Sequence, residues 1–169
     1  MKPIVVLVGP PGAGKSTVAE ELAARLGISV RDTDADVEAT ADSSIQDIFV
    51  DRGEATFRLL EEEAVARALE EHDGVLAVGG GAVLSDRTRE LLRDHRVIFL
   101  DVGLTTAVRR VGLGTGRPLL LGNVRAQLKQ LMDARTVLYR EVADLTVLTD
   151  ELDPGQVADQ ALAFLQEDR

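Results

Sequence analysis

"IVVLVGPPGAGKST", residues 4–17, decides the fold of this chain. Its opening run, "IVVLV" (4–8), is β-branched and apolar without polar alternation, the pattern of a strand buried on both faces. "GPPGAGKST" (9–17) fits G-x-x-x-x-G-K-[ST]. Glycines at that spacing let backbone N–H groups from Gly12, Ala13 and Gly14 through to Thr17 curl around phosphate oxygens. Lys15 then reaches the outer phosphates, and the Ser16 hydroxyl can ligate Mg²⁺. From Lys15 to Leu26 the chain reads as a helix, with Val18, Leu22 and Leu26 on one face and Gly27 as its stop. Strand, glycine loop and helix in this order are the context the motif requires, and the helix start adds its positive dipole end. The stretch points to a nucleoside triphosphate, without choosing between ATP and GTP or between transfer and hydrolysis.

Outward from this loop, short apolar runs alternate with amphipathic stretches. "ISVRD" (28–32), "VLAV" (75–78), "VIFLDV" (97–102) and "LTVLT" (145–149) read as further strands. Helices are expected over 54–71, with Phe57, Leu60, Ala64 and Ala68 at helical spacing, and over 85–93, 105–111, 123–135, 137–143 and from Pro154 onward. Ser44 followed by Asp47 has the form of a helix cap. "GLGTGRPLLLGN" (112–123) reads as a loop rich enough in glycine to serve as a mobile lid. Strands separated by helices imply right-handed crossovers and a parallel sheet covered on both faces. Ligands then bind at the carboxyl ends of the strands.

The 169 residues suit one domain spanning 1–169, and no repeat or linker divides them. The net charge of −10, without a basic stripe, argues against nucleic acid as a partner. The absence of cysteine excludes disulfides, thiol catalysis and thiolate metal sites. No segment is long enough to span a membrane, so a cytoplasmic protein is expected.

A phosphate loop calls for an acidic partner to the metal at the end of a neighbouring strand. Asp32 ends one strand and Asp101 another. On pattern alone Asp101 is the better candidate, because four apolar residues precede it; Asp32 stays its rival.

"GPPGAGKST", "DTD" (32–34), "GEATFR" (53–58), "GGGAV" (79–83), "GRPLL" (116–120) and "RTVLY" (135–139) occur in an order that resembles the shikimate kinase family. The resemblance covers nearly the whole chain. It implies the P-loop NTPase fold of the nucleoside-monophosphate-kinase type, an α/β/α three-layer sandwich. Its five-stranded parallel sheet would run in the order 2-3-1-4-5, with a mobile lid at about 112–124 and an acceptor segment at about 33–61. It also implies transfer of the ATP γ-phosphoryl group to the 3-hydroxyl of shikimate, in the chorismate route to the aromatic amino acids, by a monomer using Mg²⁺. By the resemblance, Asp32 joins the magnesium site through water and Asp34 binds the acceptor hydroxyls near the attacking one. Asp101 then loses its metal role, and Asp36 simply begins the next helix.

The resemblance makes Arg58 and Arg135 the arginines that grip the acceptor carboxylate, with Glu61 orienting Arg58. Gly79, Gly80 and Gly81 would contact the acceptor. Arg117, on the lid, would stabilise the transferring charge. Arg110 and Pro154 fall on the adenine side. One departure stands out: Val137 occupies a position where the family pattern has proline, so the turn behind Arg135 is expected to be less fixed. Phe49 and Phe57 are expected as core or pocket wall, Tyr139 as packing, and His72 and His95 as solvated. On physical grounds a gluconate kinase, or a nucleotide-binding module without catalysis, remains an alternative.

Overall fold

The computed structural model of the chain describes residues 2–112 and 123–167. The strands are β1 (Val5–Val8), β2 (Val30–Asp32), β3 (Val75–Ala77), β4 (Val97–Asp101) and β5 (Leu145–Leu148). They form one parallel sheet in the order β2-β3-β1-β4-β5. The helices are α1 (Lys15–Leu26), α2 (Thr33–Ala41), α3 (Ile45–Glu71), α4 (Asp86–Leu92), α5 (Leu104–Gly112), α6 (Val124–Val142) and α7 (Pro154–Gln166).

β1 is fully buried because both sheet faces are covered. Val5 and Leu7 point into a core with α1, α6 and α7; Val6 and Val8 point into a second core with α3 and α6. That division is the period-2 alternation of a strand, hidden in the sequence because both sides are apolar. A third, smaller cluster of Val37, Ile48, Phe57 and Ala64 joins α2 to α3 beside the sheet edge. Among the described residues, no helix is long and apolar enough to cross a membrane.

Several expectations change. Leu26 is exposed, and Ala19 and Ala23 complete the buried stripe of α1 instead. α2 starts at Thr33, earlier than expected: Asp32 is its cap, accepting the Asp34 N–H at 2.8 Å. Asp36 therefore does not begin the helix. It sits within the first turn and pairs with Arg31 at 2.7 Å. α3 starts at the Ser44 cap and runs through Gly53, whose φ of 83° breaks the helix there. A side chain at that φ would be strained, so glycine lets two helical stretches meet at an angle.

α6 (Val124–Val142) is one helix where two were expected. Valine at 137 keeps its N–H and continues the helix, where proline would remove a bond. The Thr136 hydroxyl also donates to the Met132 carbonyl at 2.7 Å. Arg135 is thus held within an unbroken helix, so the looser turn expected behind it is absent. His72 is buried, with Nε2 3.1 Å from the Val75 carbonyl oxygen, and His95 is half-buried. Burial, with Lys2 nearby, lowers the His95 pKa. His72 is therefore not the solvated side chain expected, because its ring is turned in against the Val75 carbonyl at the start of β3.

Candidate active site

The loop between β1 and α1 lies at the carboxyl end of the sheet, against the ends of β2 and β3. A cavity of about 410 Å³ opens there, within the range for small-ligand sites. Gly12, Lys15, Ser16, Asp32, Asp34 and Arg110 are among its walls. A larger recess, about 550 Å³, lies at the amino end of the sheet around Lys2, His95 and Asp144. It contains none of the phosphate-loop groups, so chemistry favours the smaller cavity.

Lys15 Nζ donates to the carbonyls of Gly9 at 2.6 Å and Pro10 at 3.2 Å, which holds it against its own loop. Arg110 bridges the loop to the end of β5. Its guanidinium donates to Gly12 O at 3.0 Å and to the Thr149 hydroxyl and carbonyl, both at 3.3 Å. Asp101, the pattern-based rival for the metal, spends one carboxylate oxygen on the Val102 N–H at 2.9 Å and is not part of the cavity wall.

Deeper in, four charged groups meet. Glu61 is nearly inaccessible and pairs with Arg58 at 2.7 Å; Arg58 also reaches Glu54 at 3.5 Å. Burial raises the Glu61 pKa, which the Arg58 pair only partly offsets; Asp34 adds to the rise and Arg135 opposes it. Arg135 is itself buried, and burial lowers its pKa against the support of Tyr139. Arg58 lies over the Phe57 ring at 5.2 Å, and its buried Nε has no acceptor among the described residues. Arg58 thus keeps an unused buried N–H beside its carboxylate partners, and the guanidinium fork matches a carboxylate.

The glycine run is built to admit these groups. A Cβ on Gly79 would lie 2.5 Å from Asp34 Oδ1 and 2.8 Å from Glu61 Oε2, and one on Gly81 would collide with the Arg58 guanidinium. Glycine lets the backbone after β3 approach these side-chain ends without displacing them. Tyr139 does more than pack on Phe99: its hydroxyl donates to the Gly80 carbonyl. Burial, the leading cause, pushes its pKa up to about 12.

That shift is directly measurable, because Tyr139 is the chain's one tyrosine. Tyrosinate absorbance is expected to stay low in the folded protein at about pH 11, where an unfolded tyrosine is already ionised. The folded state binds the extra proton between the ordinary value and about 12, so stability falls as pH rises through that window. A folded-state midpoint near the ordinary value would contradict this.

Thus Lys15, Ser16, Asp32, Asp34, Gly80 and Arg110 meet in one cavity, and Asp34 links it to a neighbouring cluster of Glu61, Arg58 and Arg135 packed against Gly79 and Gly81. Pro154 is exposed at the start of α7 and does not line the cavity. Arg117 and most of the expected lid, 113–122, lie outside the described residues. Sequence reading passed over Thr33, whose buried hydroxyl accepts the Gly79 N–H, and Thr149, which holds Arg110. Thr33 carried a signal, being the centre of "DTD"; Thr149 carried none.

The family model for shikimate kinase matches residues 11–166. The chain belongs to the shikimate kinase family. It is 57% identical to the shikimate kinase of Salinispora arenicola, over 98% of this chain and 99% of that one. To the shikimate kinase of Saccharopolyspora erythraea it is 54% identical, over 100% and 97%. Among solved structures, the shikimate kinase of Acinetobacter baumannii in complex with shikimate superposes with a TM-score of 0.92 at 34% identity, covering 98% of this chain and 93% of that one. The strand order fits the family, and membership makes the chain an ATP-dependent kinase.

Family membership bears on Arg135 as well. If this arginine grips an acceptor carboxylate, Arg135→Ala raises the acceptor KM by about 10- to 100-fold, the range for charged hydrogen bonds, while the ATP KM holds. An unmoved acceptor KM in a steady-state assay would show that Arg135 serves only the packing of α6.

Proposed function

We propose that the chain transfers the γ-phosphoryl group of ATP to the 3-hydroxyl of shikimate, giving shikimate 3-phosphate and ADP. One observation carries the reading: the phosphate loop and Asp34 line one cavity, and Asp34 meets Glu61 of the Arg58–Glu61–Arg135 cluster at Gly79. A hydroxylated carboxylate needs both ends of that arrangement. Arg58 and Arg135 bind its carboxylate, and Asp34 accepts from its hydroxyls.

The loop amides and Lys15 hold the β- and γ-phosphates, and Lys15 exchanges its contacts with Gly9 and Pro10 for phosphate oxygens. Phosphoryl transfer depends mostly on positioning and charge stabilisation, and these groups provide both. Asp34 orients the attacking hydroxyl and takes its proton as the new P–O bond forms. The in-plane hydrogen bonds of Arg110 leave the faces of its guanidinium for stacking on adenine, and Pro154 is assigned to the same nucleotide by the family resemblance alone. Arg117 closes over the phosphates from the lid, 112–124, while 33–61 forms the acceptor segment of a single kinase domain.

Magnesium would be held by the Ser16 hydroxyl and, through water, by Asp32, and it would neutralise phosphate charge. The donor set fits that ion. No cluster of three or more metal-binding carboxylate, histidine or cysteine side chains occurs among the described residues. Magnesium commonly keeps several waters and shares phosphate oxygens instead of using a full protein cage. The scheme is written for a monomer.

The test is ADP release from ATP with shikimate, gluconate or AMP offered separately. Stimulation by shikimate is expected. Release independent of acceptor would reject the kinase reading, and stimulation by gluconate alone would reassign the acceptor.

A further inference from the structure

Two backbone groups of the glycine run are held by side chains from different parts of the chain. The Thr33 hydroxyl, fully buried, accepts the Gly79 N–H at 3.1 Å. The Tyr139 hydroxyl donates to the Gly80 carbonyl, across 59 residues of sequence, and also neighbours the Arg135 guanidinium. We propose that Thr33 and Tyr139 are positioning residues that clamp the Gly79–Gly80 backbone and so set the affinity for the acceptor. This rests on the acceptor reading above.

The geometry makes the clamp consequential. Gly79 stands against Asp34 and Glu61, Gly81 stands against Arg58, and a Cβ on Gly80 would lie 3.2 Å from Pro11 Cδ. The run therefore touches the phosphate loop, the hydroxyl-binding carboxylate and the carboxylate-binding arginine at once. Its glycines have no side chains of their own to fix them. Thr33 sits beside Asp34 at the start of α2, and Tyr139 sits one turn after Arg135 in α6. Each hydroxyl ties an element carrying an acceptor-binding group to the same wall. Removing the Thr33 hydroxyl leaves a buried backbone donor unmet, removing that of Tyr139 releases a half-buried carbonyl, and either change frees the wall to shift. A displacement of a fraction of an ångström is enough to loosen acceptor contacts.

Thr33→Val and Tyr139→Phe delete the hydroxyls with little change of shape; the latter retains the ring packed on Phe99 at 5.0 Å. Steady-state kinetics should show the shikimate KM raised about five- to tenfold in each variant, with the ATP KM unchanged. Thr33→Ser, which keeps the acceptor oxygen, should restore the parent value. A lowered thermal midpoint with an unmoved shikimate KM would overturn the proposal, because it indicates structural support alone. A parallel rise in the ATP KM would also overturn it. The parent chain is assayed alongside. If shikimate does not stimulate the parent, the acceptor reading fails and the clamp's role falls with it. A stimulated parent with unaffected variants rejects the clamp alone.

Discussion

Asp34→Asn is expected to lower turnover by about 10²- to 10⁴-fold, the range for removing a positioned acid or base. Asparagine keeps the size of the side chain but loses its charge and basicity. The backbone geometry is insulated from the change: the Asp34 N–H is bound by the Asp32 carboxylate whatever side chain follows. The phosphate loop is built from a different segment, so nucleotide affinity should survive. Rapid-mix or steady-state assays at saturating shikimate, with nucleotide binding measured separately, check both halves. Undiminished turnover would remove Asp34 from the chemistry. Lost nucleotide binding would mean that the substitution had disturbed the shared cavity as a whole.

The second large effect is on stability. Glu61→Ala removes the buried carboxylate that pairs with Arg58 at 2.7 Å and also counters Arg135. Among the described residues, the remaining carboxylate partner of Arg58 is the exposed Glu54 at 3.5 Å. The two guanidiniums already disfavour one another, since Arg58 lowers the Arg135 pKa. Breaking a buried pair from one side costs about 3–5 kcal/mol, because the remaining charge is left without compensation. Urea denaturation reads this as a lower midpoint at an unchanged slope. A loss within about 0.5 kcal/mol, typical of surface substitutions, would show that water reaches Arg58 and Arg135 well enough to replace the carboxylate.

The chain's elements were legible where local chemistry and packing agree. "IVVLVGPPGAGKST" specifies its strand, loop and helix because apolar pattern, glycine placement and helix start all point the same way. All five strands fall within the runs read as strands in the sequence. The acid at the phosphate loop was not legible by pattern. Asp101 ends the better strand, yet its carboxylate turns to the Val102 N–H, while Asp32 opens into the cavity. A strand end announces a carboxylate but not the direction it faces.

By itself, the sequence determined the phosphate-binding start, the alternation of strands and helices, and the family, through six motifs in order. Only the tertiary structure decided how the remaining charges are used. It showed that Glu61 is buried between two arginines, that His72 is buried, and that α6 runs unbroken through Val137. It also brought Thr33 and Tyr139 to neighbouring peptides of one glycine run. The reason is physical: motifs and propensities act over a few residues, whereas burial and pairing depend on which distant segments the sheet order brings together. Parallel crossovers place β2, β3 and β1 side by side, and the meaning of a carboxylate or hydroxyl at their ends is set by those neighbours.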